Sequence, residues 1–136
     1  MKKIKLYLDD LRTPNNSEWQ IVRNYDEFVD HILKNGLENY EVISLDHDLG
    51  DSAMQEYFNN VYPNNKLDYN NIKEKTGFDC AKWLVNYAIE KNVKLPQIYS
   101  HSANPIGALN IITYINNYLK SQNLKETTDR IRINHS

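Results

Sequence analysis

Apolar and polar positions along this chain follow two periods, and each apolar stretch stops at a polar or turn-forming residue. Ile4-Lys5-Leu6-Tyr7-Leu8 halts at Asp9-Asp10 and predicts a first strand. Arg12 to Ser17 contains Pro14 and the pair Asn15-Asn16, which is loop chemistry. Trp19 to Arg23 predicts a short second strand. From Asn24 the period lengthens to that of a helix. Asn24 and Glu27 stand at capping-box spacing, Phe28, Val29, Ile32 and Leu33 give one apolar face, and Asn35-Gly36 ends it. Val42 to Leu45 predicts a third strand, apolar enough for the centre of a sheet.

The segment from Gly50 to Thr76 breaks the rhythm. It is rich in Asn, Asp and Tyr and too long for an ordinary connection. Residues 51–75 therefore read as a lid-like insertion, with a short helix from Met54 to Phe58. Thr76 then caps a second long helix, with Asp79 reaching back, and Phe78, Ala81, Leu84, Val85, Ala88 and Ile89 recur at helical spacing. Pro96 to Ser100 predicts a fourth strand that stops at His101-Ser102. Asn104-Pro105 is an N-cap followed by a proline at the first helical position. Ile106, Leu109, Ile112, Ile115 and Leu119 form the predicted buried stripe of the last helix, and the alternation from Arg130 to Asn134 predicts an edge strand.

Strands alternating with helices over 136 residues predict one α/β domain, residues 1–136, with a parallel sheet and helices on both faces. Composition narrows the rest. Sixteen basic against eighteen acidic side chains leave a net charge of -2, so duplex DNA binding is not expected, although a small anionic ligand in a local pocket is. The single cysteine, Cys80, excludes a disulfide framework and a cysteine zinc cluster and reads as a buried thiol. No apolar run is long enough to span a membrane, and Met1-Lys2-Lys3 leads straight into a strand-like run. The expectation is a cytoplasmic protein.

In a parallel sheet, ligands bind outside the carboxyl ends of the strands, where strand order reverses. Asp9-Asp10 follow the first strand, Asp46-His47-Asp48 the third, and His101-Ser102 the fourth. With the first, third and fourth strands adjacent, all three clusters converge on one edge. Turn chemistry explains any one of them. It explains three together less well, because Thr76 and Asn104 already cap the helices that follow. Carboxylates in reach of one another repel unless a cation lies among them, and hard oxygen ligands suit Mg²⁺ or Mn²⁺. Asp9, Asp10 and Asp46 are the expected metal ligands, Arg12, Asp48, Ser102 and Asn104 the expected substrate-binding residues, and Asp46, His47 and His101 the expected catalytic groups. Two imidazoles at one edge suit an acid–base pair. His31 and His135 read as bystanders.

Leu6 to Pro14 (LYLDDLRTP), Ser44 to Gly50 (SLDHDLG), Thr76 to Leu84 (TGFDCAKWL) and His101 to Ile111 (HSANPIGALNI), taken in this order, resemble the cyclic-phosphate-processing receiver-like domains. The resemblance runs from Lys5 to about Leu119. It implies a receiver-like, flavodoxin-like fold, with Asp9, Asp10 and Asp46 at the acid positions of a receiver and Ser102 near its hydroxyl position. It also implies action on a cyclic phosphate, in a cyclic nucleotide or at an RNA end. The chain departs from an ordinary receiver in two places: a loop around Pro14 replaces the helix between the first two strands, and no lysine ends the last strand. The function expected is a metal-assisted phosphodiesterase. The alternatives are a non-enzymatic module that binds a nucleotide or a partner protein, and a phosphoacceptor receiver with Asp46 phosphorylated.

Overall fold

The computed structural model describes residues 2–135. Five parallel strands, β1 (Ile4–Leu8), β2 (Trp19–Val22), β3 (Tyr40–Leu45), β4 (Gln97–Ser100) and β5 (Asp129–Arg130), form one sheet in the order β2-β1-β3-β4-β5. This is the receiver-like order expected, with Leu8 paired to Leu45 and Leu45 to Ser100. The helices are α1 (Tyr25–Asn35), α2 (Asp51–Glu56), the one-turn α3 (Tyr62–Asn64), α4 (Gly77–Lys91) and α5 (Pro105–Ser121). The short helix of the insertion thus starts earlier than expected and continues through a wider turn, Tyr57–Val61. All three predicted caps form. Asn24 accepts from the Glu27 N–H at 2.9 Å, Thr76 and Asp79 make a reciprocal box, and Asn104 accepts from the Gly107 N–H at 3.0 Å. None of the described helices is long and apolar enough to cross a membrane.

The sheet is covered by long helices on one face only, which corrects the expectation of two-sided cover. The crossovers through α1, α4 and α5 all run across the sheet in one direction, so right-handed connections put these helices on the same side. There α1 packs on α4 and α4 on α5. Leu6, Leu8, Ile43, Leu45 and Ile98 meet Phe28, Ile32, Leu84, Ile111 and Ile115 in one core that also buries Cys80. The physical cause is the loop around Pro14, which supplies no helix for the other face. Alternation along the strands turns Lys5, Tyr7 and Ser44 to that face. Lys5 meets Glu18 there at 3.0 Å, and the end of the chain covers the sheet near its C-terminal edge. The Asn15 N–H donates to the Asn134 carbonyl at 2.9 Å, and Pro14 bridges His135.

Several details differ from the pattern reading. Leu109 is exposed, and α5 buries Ala108, Ile111, Ile115 and Leu119 instead. The helix turns its small residues, Gly107 and Ala108, inward because the His47 ring lies directly beneath Gly107. β5 is only two residues long, since the chain after Arg130 leaves the sheet to reach the Pro14 loop. Leu33 and Ile89, assigned to buried helix faces, are also exposed. His31 is a brace from α1 to the sheet, bonded to the Tyr40 hydroxyl and, at 2.8 Å, to Gln20.

Candidate active site

The C-terminal edge of the sheet gathers the acids as expected. Asp9, at the end of β1, is fully buried. Its Oδ1 accepts the N–H groups of Leu11 and Arg12 at 3.0 and 2.7 Å, and its Oδ2 accepts from Arg12 Nε at 3.0 Å and His101 Nε2 at 3.2 Å. Burial works against the charge on Asp9. The His101 bond, the two backbone donors and the Arg12 charge overcome it and hold the pKa at about 2. Asp46, at the end of β3, accepts among the described residues only the His47 N–H, at 2.8 Å, and lies 3.9 Å from Arg12 Nη2. Burial first, then the Asp9 charge, push its carboxyl up to about 8. One acid of the pair thus keeps its charge near neutral pH while the other keeps a proton. Asp10 lines the same cleft as this pair, and burial, followed by the Asp9 charge, raises its pKa.

His101 follows β4 with its side chain out of contact with solvent. Because ionised Asp9 can only accept, Nε2 of His101 carries the proton and Nδ1 accepts from the Ser44 hydroxyl at 2.8 Å. The ring stacks on Tyr7, centroids 4.0 Å apart, and burial lowers its pKa. Both nitrogens are fixed, so His101 orients Asp9. Among the described residues, Asp9, Asp46 and His101 are the acids and imidazole that present ligand atoms within 4.8 Å of one another. Asp10 is not in that cluster, so His101 stands where a third carboxylate was expected.

The geometry does not bring His47 to the same place. Its side chain is fully buried and lines neither of the clefts described below. Nδ1 donates to Asp48 Oδ1 at 2.6 Å, and Nε2 accepts from the Tyr69 hydroxyl at 2.9 Å. Asn110 of α5 donates to that hydroxyl at 3.0 Å. Burial pushes the Tyr69 phenol up to about 12, so it remains a donor. Asn104 donates to the same Asp48 oxygen at 3.2 Å. His47 therefore ties the insertion to the sheet. His47→Ala is expected to cost about 2 kcal/mol, since Tyr69 and Asp48 lose buried partners. Hydrogen exchange should quicken around 69–76, and unchanged protection there would refute the tie.

Two clefts meet at Arg12, whose side chain is 38% exposed. The first, about 270 Å³, is lined by the acids Asp9, Asp10, Asp46 and Asp48 and by the largely apolar side chains of Leu11, Met54, Tyr57 and Phe58. The second, about 530 Å³, is lined by His101, Arg130, Arg132 and His135. Both share Arg12, Ser102 and Ala103. Asn104 borders the first, and the Ser102 hydroxyl accepts from the Asn104 N–H at 3.1 Å.

Residues 4–117 match the family described as the cyclic-phosphate processing receiver domain. The chain belongs to that family. No curated protein and no solved structure matches it. In this cyclic-phosphate processing receiver domain, several residues at the site were missed in the sequence. Tyr57 and Phe58 stand in the insertion, where nothing in the pattern says which aromatic faces the edge. His135, read as a bystander, bonds the Tyr7 hydroxyl, with its ring 6.3 Å from that of His101. Arg130 and Arg132 had a signal, two guanidinium groups at strand spacing, but it was spent on predicting an edge strand.

Proposed function

We propose that this receiver-like domain hydrolyses a cyclic phosphodiester of a nucleotide. The observation that supports this best is the place of Arg12, a partly exposed guanidinium between two clefts, beside a buried acid pair at a receiver's active edge. Arg12 grips two non-bridging phosphate oxygens through its paired N–H groups. The water oxygen bonds to phosphorus while one ring P–O bond breaks, and the freed ring oxygen takes a proton, giving a phosphomonoester and a hydroxyl. Asp10, the cleft carboxyl outside the acid pair, accepts the proton of the water and returns it to the departing oxygen. Its raised pKa makes it the better base.

Two carboxylates and an imidazole suit Mn²⁺ better than Mg²⁺, which prefers an all-oxygen shell. An ion held by Asp9, Asp46 and Nε2 of His101, displacing the proton that Nε2 now shares with Asp9, would supply charge neutralisation and an acidified water. Arg12 now rests on the same carboxylates, so releasing it to the phosphate frees them. Ser44 keeps the His101 ring aimed through Nδ1, and His47 holds the insertion that closes the first cleft.

Purified protein is to be incubated with adenosine 2′,3′-cyclic and 3′,5′-cyclic phosphate, with Mn²⁺, with Mg²⁺ or with chelator, and followed by phosphorus NMR. A phosphomonoester is expected from at least one of these substrates, with more formed in Mn²⁺ than in chelator. Binding by calorimetry with no monoester under any condition would leave a nucleotide-binding module and refute the hydrolase.

A further inference from the structure

The second cleft is built largely by a segment beyond the family match, which stops at residue 117. After β5 the chain crosses the helix-free face as a strap. The Ile131 N–H donates to the Ser100 carbonyl at 2.8 Å at one end, and the Asn134 carbonyl accepts from Asn15 at the other. Arg130 is fixed by two bonds, from Nε and Nη2 to the Ser102 carbonyl at 3.1 and 2.9 Å. Among the described residues, neither Arg130 nor Arg132 makes an ion pair with a carboxylate. The cleft lining holds three arginines and no acid.

A single cyclic phosphate carries one negative charge, which Arg12 alone can meet. Two further guanidinium groups on the far side of Arg12, in the larger of the two clefts and with no protein anion to satisfy them, call for a second anion on the ligand. On the near side, Tyr57 and Phe58 offer an apolar, aromatic wall suited to a flat base. We infer that the strap forms a second phosphate subsite, so that the substrate carries another phosphate group besides the cyclic one. Arg130 and Arg132 hold that second phosphate, Arg12 holds the cyclic phosphate, and the base lies against Tyr57 and Phe58. This rests on the hydrolase reading for the cyclic phosphate but not for the second one. The second phosphate is either an internucleotide linkage, as at an oligonucleotide end, or a 5′-phosphate on a single nucleotide.

Calorimetry in chelator, at one salt concentration, separates these cases. The probes are adenosine 2′,3′-cyclic phosphate, its 5′-phosphorylated form, and a diadenosine dinucleotide ending in a 2′,3′-cyclic phosphate. At least one two-phosphate probe is expected to bind about 10-fold or more tighter than the first. Whichever gains identifies the source of the phosphate. Arg132→Gln should erase that gain while leaving the single-phosphate probe unchanged, and Arg130→Gln serves as a second variant, checked for an unchanged Tm. If neither probe gains, or the gain survives both substitutions, the subsite is overturned. Discrimination without any turnover keeps the subsite and sinks the hydrolase; turnover without discrimination does the reverse.

Discussion

Gly77→Ala is expected to destabilise the protein by about 3 kcal/mol, at the upper end of overpacking costs, and to lower Tm on the order of 10 °C. Gly77 opens α4, where its backbone is ordinary helix, so conformational freedom is not the issue. The constraint is space. A Cβ at this position would lie 1.7 Å from the Asp46 carbonyl oxygen and 3.1 Å from the His47 Cα. Neither is the end of a flexible side chain. The Gly77 N–H also donates to the His47 carbonyl at 2.9 Å, so the first turn of α4 is fastened to the end of β3 by the contact that leaves no room for a methyl group. Relief must come from moving Asp46 and His47, which should also reduce turnover. Gly50→Ala makes the comparison, because the atoms nearest its new methyl belong to the Glu74 side chain rather than to backbone. Thermal unfolding of both variants decides the matter. A loss within about 1 kcal/mol for Gly77→Ala would show that the end of β3 gives way more easily than its hydrogen bonds imply.

Gly77 also marks the boundary of what the sequence could tell. Strand ends, helix caps and the convergence of the acids were legible, because each depends on local chemistry: an apolar run halted by Asp9 or Asp46, an Asn24, Thr76 or Asn104 before a periodic stretch. The failures share another cause. Whether Leu109 or Ala108 faces the core depends on the size of the His47 ring, which comes from a different strand. His47 and His101 look alike in the sequence, each following a strand, yet one is a clamp beneath α5 and the other leans on Asp9. The strap from Arg130 to His135 alternates like a strand, but the bare face of the sheet beside Tyr7 draws it across to Pro14. That face is bare only because no helix joins β1 to β2. The missing helix was visible; its consequence for the far end of the chain was not.

Asp46→Asn is the sharper test of the acid pair, because it predicts opposite effects on stability and on function. In chelator the wild-type carboxyl keeps its proton until about pH 8, whereas the unfolded chain releases it near the ordinary aspartate value of 3.8. Between these values the folded state binds the extra proton, so stability falls as pH rises from about 4 to 8. The contribution is fully present below the unfolded pKa and is lost through the folded one. Each pKa unit is worth about 1.4 kcal/mol and the two values lie roughly four units apart, so the amide, which never ionises, should gain several kcal/mol of stability at pH 9 and almost none at pH 4. Asn retains an oxygen to accept the His47 N–H, so the turn survives. Asp9 titrates in a separate window. Its lowered pKa gives stability that is present above about pH 4 and lost as pH falls toward 2, and the substitution leaves that limb in place. Function should move the other way. Mn²⁺ affinity falls with the loss of a carboxylate from the trio, and turnover falls about 10²-fold or more, the usual scale for removing one group that meets charge in the transition state. Denaturant unfolding of both proteins from pH 4 to 9, with Mn²⁺ calorimetry alongside, reads each half separately. A variant with the wild-type pH slope would mean that Asp46 is ionised in the folded protein. Unchanged Mn²⁺ affinity would remove Asp46 from the ligand set and leave Arg12 as the permanent counter-charge of the acid pair.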